Sequence, residues 1–421
     1  MSRPAERVDH GGAPAPLWAG RTLALIGIVL VAFNLRSAVA SLSPILAELE
    51  AEIELGVIAI GVLGMLPPLC YAVFGIVTPS VAKRFGLEVT LVAALAALTV
   101  GLAGRGLAPD ALWLVLASAL TFAAIGVGNV LLPPLVKRYF PDRVGLMTTV
   151  YATAMAVSTF VPPLVAVPVA TATHWRISLG EWAVFAALSL IPWIVVLVRP
   201  ARGRTAGVPR EAVPSELGRL ARSRLAWALT TIFTVSGFNV YALFAWLPAM
   251  LHDLAGTSHA ESGALLSWYA AMGLPASILV PLVAARFGRI RPVVYVSVVT
   301  LIVGYGGLLL APATATWLWV ALAGIGPLLF PLSLVLINLR TRTPAGSVAL
   351  SGFVQSVGYL LVAAGPLLIG GLHEWTGGWT WPILILAATA VPAAIGGLIV
   401  ARPRMLEDEL AEQRAHSRRE R

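Results

Sequence analysis

Twelve long hydrophobic runs leave this chain very few ways to fold. They cover 21–47, 57–82, 87–107, 112–136, 146–170, 177–199, 224–250, 260–285, 292–311, 316–339, 347–372 and 379–401. Each is roughly 20 to 27 residues long, enough for a helix rising about 1.5 Å per residue to cross a hydrocarbon core of about 30 Å. Strands of a membrane barrel would alternate apolar and polar residues over about ten positions, and these runs do not. Inside a bilayer each backbone N–H and C=O must be bonded within the segment, so the runs are expected to be transmembrane helices. Composition agrees, with 58% hydrophobic residues, 12% charged and a mean hydropathy of +0.87. That is too apolar for a soluble globular chain. The expected fold class is an all-α membrane protein.

The first run is too long for a signal-peptide core and lacks a small-residue cleavage site after it, so it is expected to be retained. Cys70, the single cysteine, lies inside the second run and excludes an internal disulfide. No His or Cys cluster suggests a metal, and no Gly-x-x-x-x-Gly-Lys-Ser/Thr loop suggests bound ATP, so no cofactor is expected. The net charge of +9 could point to nucleic acid, but its distribution does not. Among 29 Lys and Arg, all but Arg36, Arg105 and Arg176 fall in the tails or the even-numbered loops. This is the positive-inside pattern, which predicts a multi-pass protein of the plasma (inner) membrane with both termini cytoplasmic and the Glu48–Glu54 loop outside. The expected partners are the bilayer and a small-molecule substrate, not nucleic acid, with the monomer as functional unit.

The chain divides at an Arg- and Pro-rich stretch into two sets of six runs, and the sets match. Phe33-Asn34 pairs with Phe238-Asn239, Arg84-Phe85-Gly86 with Arg286-Phe287-Gly288, Gly126-x-Gly128 and Pro133 with Gly324-x-Gly326 and Pro331, and Pro163-Leu164 with Pro366-Leu367. The matches keep their order while the offset drifts only from 198 to 205, as changes in loop length would produce. A parallel repeat of two six-helix halves is expected, with a site at their interface. The implied organisation is a tail (1–20), a first bundle (21–199), a cytoplasmic linker (200–223), a second bundle (224–401) and a tail (402–421).

On these residues the chain resembles the major facilitator superfamily, and within it the cyanate and 2-nitroimidazole transporter family. The likeness is carried by Asn34-Leu35-Arg36-Ser37-Ala38, by Gly128-Asn129-Val130-Leu131-Leu132-Pro133 running on to Lys137-Arg138-Tyr139-Phe140-Pro141, and by Leu339-Arg340-Thr341-Arg342-Thr343-Pro344 continuing through Ser351 to Tyr359. His373-Glu374-Trp375-Thr376-Gly377-Gly378-Trp379 adds to it. The resemblance implies secondary transport of small anionic or polar nitrogen compounds by alternating access, and no enzyme activity. Two departures stand out. Pro79 and Lys83 replace the Gly and Asp of the superfamily's usual Gly-x-x-x-Asp-Arg-x-Gly loop, and the Gly-Pro signature of drug/proton antiporters is missing from the fifth run. A broad-specificity drug efflux pump of the same superfamily is the alternative reading.

Arg36 carries the functional expectation. It falls near the middle of the first run, where an Arg costs about 2.5 to 3.5 kcal/mol on insertion scales and normally finds a partner. Every Asp and Glu lies in a tail, a loop or a span end, so a bound anion is the expected counter-charge. Snorkelling, or a bond to backbone carbonyls, is the structural alternative. Asn34 and Asn239, at matched positions, are candidate donors to substrate or else bonds between helices. Asn34 and Arg36 lie about 200° apart on a helix, so one ligand cannot take both unless the helix unwinds, and Pro44 makes a distortion nearby plausible. Asn129, Tyr151, Tyr241, Gln355 and Tyr359 complete the expected substrate-binding set. Arg84, Arg286 and Arg340, near the cytoplasmic ends, are the candidate gating residues.

Overall fold

The computed structural model describes residues 21–198 and 220–419. Tail residues 1–20 and most of the linker, including Ser215, lie outside the described residues. Twelve helical spans long and apolar enough to cross a membrane run Thr22–Glu50, Val57–Phe85, Leu87–Gly106, Ala111–Tyr139, Leu146–Ala172, Trp175–Val198, Arg224–Ala255, His259–Ala284, Ile290–Leu310, Thr316–Leu339, Gly346–Thr376 and Thr380–Val400. They follow the hydrophobic runs in order, and several extend beyond them into polar ends such as Lys137-Arg138-Tyr139. A further helix, Leu406–Arg419, follows the last span.

Proline decides where the spans bend. The first is α-helical over Thr22–Ala40, opens at Ser41-Leu42, and resumes through a tight turn at Ser43–Ile45 into Leu46–Glu50. Pro44 has no N–H to give the carbonyl of Ala40, so the break expected from the sequence is present. The tenth span is interrupted in the same way at Gly326–Leu328, where Pro327 sits at φ −66°, ψ 17°.

Packing repeats between the halves. The first span lies against the fifth and sixth, as the seventh does against the eleventh and twelfth. Likewise the third packs on the fourth and sixth, and the ninth on the tenth and twelfth. The halves meet through the second span on the eleventh and the fifth on the eighth, which exchange under the same repeat.

The repeated asparagines have a structural use. Asn34 is buried, and its amide donates to Leu30 O (2.8 Å), Phe185 O (3.3 Å) and Ser189 Oγ (2.9 Å), tying the first span to the sixth. Asn239, also buried, donates to Val235 O (2.8 Å) and Thr389 Oγ1 (3.0 Å) and accepts from the Tyr305 hydroxyl (2.6 Å), tying the seventh span to the twelfth and ninth. Each half is thus locked by an amide-to-hydroxyl bond between its first and last helix. Of the two uses the sequence leaves open for these amides, the hydrogen bonds fit the bond between helices: each NH₂ is spent inside its own half, and only Asn34 Oδ1 is buried without a partner among the two side chains.

Glycines bring the halves into close contact at the end of the bundle remote from the termini. A Cβ at Gly64 would stand 2.8 Å from Pro366 Cβ and 3.0 Å from Ala245 Cβ, and one at Gly263 would stand 2.9 Å from Pro163 O and 3.3 Å from Pro44 Cβ. Ser267 Oγ also donates across the junction to Phe160 O. Neither Pro366 nor Ala245 has a flexible tip that could move aside. Gly64→Val is therefore expected to wedge this end open and raise thiol labelling of Ser43→Cys in a Cys70→Ser background. Labelling as slow as in the Gly64 parent would show that this junction is not what closes the bundle.

Candidate functional site

Arg36 sits at the middle of the first span and faces tyrosines from three others. Its guanidinium carbon lies 5.7 Å from the centroid of the Tyr71 ring, from the second span. Tyr241 of the seventh span and Tyr359 of the eleventh stand in its electrostatic reach as well. The rings pack edge to face, with centroids 5.6 Å apart for Tyr71 and Tyr359 and 6.5 Å for Tyr71 and Tyr241. Four residues from both halves thus form one cluster at mid-span. Arg36 Nη1 and the Tyr71 hydroxyl are buried and complete no hydrogen bond. Among the described residues no carboxylate contributes to the surroundings of Arg36. The half-buried guanidinium is held here by the Tyr71 ring and the neighbouring phenols, a good ring contact contributing about 1 to 2 kcal/mol.

The surprise lies toward the remote end. Arg105, one of the three basic residues outside the tails and even-numbered loops, lies near the end of the third span and is fully buried. Its Nη1 donates to Ala38 O at 3.0 Å, and its guanidinium carbon lies 5.7 Å from the Phe122 ring. The attraction is local: Ala38 lies just before the break in the first span, where carbonyls lose helical partners and the helix end carries partial negative charge. Nε and Nη2 are buried without a partner. Arg105 borders a cavity of about 30 Å³ that Ser43, Leu63, Pro67, Tyr241 and Phe244 also line. That volume holds one or two waters and no larger solute. Tyr241 is shared between this cavity and the Arg36 cluster.

The remaining expected site residues separate by position. Tyr241 and Tyr359 join Arg36, whereas Asn129 donates to Ile125 O (3.2 Å) of its own helix. Gln355, one turn from Tyr359, donates to Ser351 Oγ (2.7 Å), and Tyr151 is half-buried on the fifth span. Arg84 is exposed and lies over the Phe85 ring at 5.3 Å. Arg340 is nearly buried and donates to Val400 O (2.9 Å), fastening the tenth span to the end of the twelfth. The side chain of Arg286 lies outside the described ones. Near the ends that carry the termini, Arg21 pairs with Asp142 (2.6 Å), and its hydrogen bonds hold that carboxyl well below the usual range. Glu88 accepts from Arg138 (3.2 Å) and from the Tyr139 hydroxyl (2.7 Å). Among the described residues no group of three His, Cys, Asp or Glu could hold a metal ion.

Two residues of the site were missed from sequence, and for different reasons. Tyr71 is one uncharged aromatic among many, and its only signal was its place at mid-span. Arg105 lies at the end of the third run, where the sequence does not show which way a long basic side chain turns.

Comparison with known proteins agrees with this architecture. Residues 24–361 match the Major Facilitator Superfamily. The chain is 32% identical to the uncharacterized transporter YycB of Bacillus subtilis (strain 168) over 386 residues, covering 91% of this chain and 94% of that protein. It is 32% identical to the 2-nitroimidazole transporter of Escherichia coli (strain K12), over 91% of this chain and 96% of that protein. It is 24% identical to the cyanate transport protein CynX of the same organism, over 84% and 91%. Among solved structures, a bacterial homolog of the human lysosomal transporter Spinster, inward-facing and unoccupied, superposes with a TM-score of 0.69 at 16% identity, covering 93% of this chain and 98% of that one. The family match across residues 24–361 and these relatives show that the chain belongs to the major facilitator superfamily as a membrane transporter.

Proposed function

We propose that the protein carries a small planar anion, or a small polar nitrogen compound with acceptor oxygens, across the membrane by alternating access. Arg36 is the principal ligand, with Tyr71, Tyr241 and Tyr359 as hydrogen-bonding and stacking walls. The observation that carries this reading is a mid-membrane guanidinium with a buried, unpartnered N–H and no carboxylate beside it. Such a group is costly until a negative ligand arrives, so the free energy of binding comes in large part from relieving it. The relatives named for 2-nitroimidazole and cyanate transport support a substrate of this class.

Closure at one end supports the alternating-access part of this reading. The halves touch at Gly64 and Gly263, toward the end remote from the termini, and the cavity beneath is too small for substrate. The positive-inside distribution of Lys and Arg supports cytoplasmic termini, and on that reading the closed end is the outer one. In this reading Arg84, Arg286 and Arg340 mark the inner ends of helices that close when the outer end opens.

The test is counterflow in proteoliposomes with a panel of cyanate, 4-hydroxybenzoate, 2-nitroimidazole and a cationic dye. Exchange of the anions or the nitro compound is expected. Uptake of the cationic dye alone would favour the drug-efflux reading of the same fold and overturn this one.

A further inference from the structure

We propose that Arg105 is a second anion ligand, forming an outer subsite through which the substrate reaches or leaves Arg36; this rests on the anion reading of Arg36. The guanidinium of Arg105 is 0% exposed and uses only one of its three nitrogens, Nη1 to Ala38 O. That single bond suffices to cap the broken first helix. It leaves Nε and Nη2, which together form the side-on edge of the guanidinium. Two parallel N–H donors on one edge match the two oxygens of a carboxylate, or one oxygen of a smaller anion held between them. Among the described residues no carboxylate lies near enough to occupy that edge. A guanidinium stays charged at neutral pH, and an unpaired buried charge costs several kcal/mol.

Arg105 lines the same cavity as Tyr241 and Ser43, and the Ser43 hydroxyl is itself buried without a partner. Unpartnered donors from the first and third spans therefore converge on one space. Ala38, which Arg105 grips, is two residues beyond Arg36, about 3 Å further along the helix axis. The two guanidiniums consequently stand at successive depths, with Tyr241 bordering both. A monoanion held at Arg105 when the Gly64 and Gly263 junction parts would pass Tyr241 to Arg36 without leaving a positive field. The substrate class this selects is a planar monoanion with a carboxylate-like end. Neutral solutes gain little from a second fork.

Arg105→Lys tests the proposal, because an ammonium can keep the bond to Ala38 O but lacks the two-donor edge. The probes are cyanate and 4-hydroxybenzoate, titrated onto purified protein and followed by ligand-induced thermal shift. Arg105→Lys is expected to bind at least tenfold more weakly than wild type. Arg36→Gln with Arg105→Lys is expected to show no shift. Wild-type affinity in Arg105→Lys alongside loss in Arg36→Gln would leave Arg105 a helix cap and overturn the inference alone. Wild-type affinity in both single variants would overturn the anion reading with it. If Arg105→Lys does not fold, labelling of Ser43→Cys in a Cys70→Ser, Arg36→Gln protein supplies the answer. Protection from alkylation by 4-hydroxybenzoate there supports an anion site at Arg105 independent of Arg36, and labelling unchanged by the ligand overturns it.

Discussion

Replacing Arg36 by glutamine should weaken the binding of cyanate or 4-hydroxybenzoate by on the order of a hundredfold while leaving the protein folded. Removing one partner of a buried, hydrogen-bonded charge pair costs about 2 to 5 kcal/mol, and each 1.4 kcal/mol is about tenfold in affinity. Folding should not suffer, because Arg36 makes no carboxylate pair in the ligand-free protein and its Nη1 is already unpartnered. Glutamine keeps donors and much of the length, so the change isolates charge. Arg36→Lys should recover only part of the affinity, since an ammonium has no planar fork. Asn239→Ala makes the contrast. It breaks the bond to Thr389 and leaves the Tyr305 hydroxyl without an acceptor, for a loss of about 1 kcal/mol in stability with affinity unchanged. Titration of purified proteins separates the cases, and equal affinity in wild type and Arg36→Gln would remove Arg36 from the site.

The depth of each span, the repeat and the break at Pro44 were legible because each follows from a property of the chain alone. Hydrophobic length sets the number of crossings, charge in the loops sets their expected direction, and a missing N–H sets the bend. The 200° between Asn34 and Arg36 was equally legible, and in the structure Asn34 turns to Ser189 while Arg36 meets the tyrosines. Which of the two faced the middle was not legible, because that depends on where the sixth span packs. The same limit explains Asn239, whose repeat match with Asn34 marks a shared lock rather than a shared ligand. Arg105 shows the opposite failure. A long flexible side chain at a helix end can turn back into the protein, and only the carbonyl freed by the break in another helix decides whether it does.

These placements explain how a chain with no mid-membrane carboxylate accommodates two deep arginines. Neither meets a carboxylate: Arg36 lies among tyrosines and Arg105 between a carbonyl and the Phe122 ring, and each retains a buried N–H donor without a partner. Full satisfaction by protein would lower the cost of burial but leave nothing for a ligand to gain. A transporter must also release what it binds; on the proposed reading, a site whose guanidinium and phenols come from both halves would lose its grip if the halves rocked apart. The structural asparagines make the complementary choice and are spent within one half, which lets each half move as a unit.

Glu409→Ala should lower the melting temperature of the detergent-solubilised protein by several degrees, a loss on the order of 3 kcal/mol, without altering anion affinity. The helix after the last span is acidic at its start, and those carboxylates cap two membrane helices. Glu409, 5% exposed, accepts from Arg224 N (2.5 Å), Leu225 N (3.3 Å) and Ser223 Oγ (3.2 Å) at the beginning of the seventh span. Glu407 accepts from Arg342 N (2.9 Å), Thr343 N (3.0 Å) and Thr343 Oγ1 (3.2 Å) ahead of the eleventh. First-turn N–H groups have no helical partner and carry the positive end of the dipole, so each carboxylate supplies both hydrogen bonds and charge. Asp408 adds a forked pair to Arg342 at 2.6 and 2.9 Å, but both groups are about half exposed and the pair is worth at most about 1 kcal/mol. Acidification should weaken the Glu407 cap. Burial alone would raise the Glu407 carboxyl, but the hydrogen bonds from Arg342 and Thr343 outweigh it and hold the group below its ordinary value. Its contribution is therefore fully present above the ordinary glutamate range, near pH 4.3, and is lost as pH falls through the lower folded value. Glu407→Gln should flatten that acid-side loss. A Glu409→Ala protein that melts with wild type would show that the tail helix rests against the bundle without fastening it.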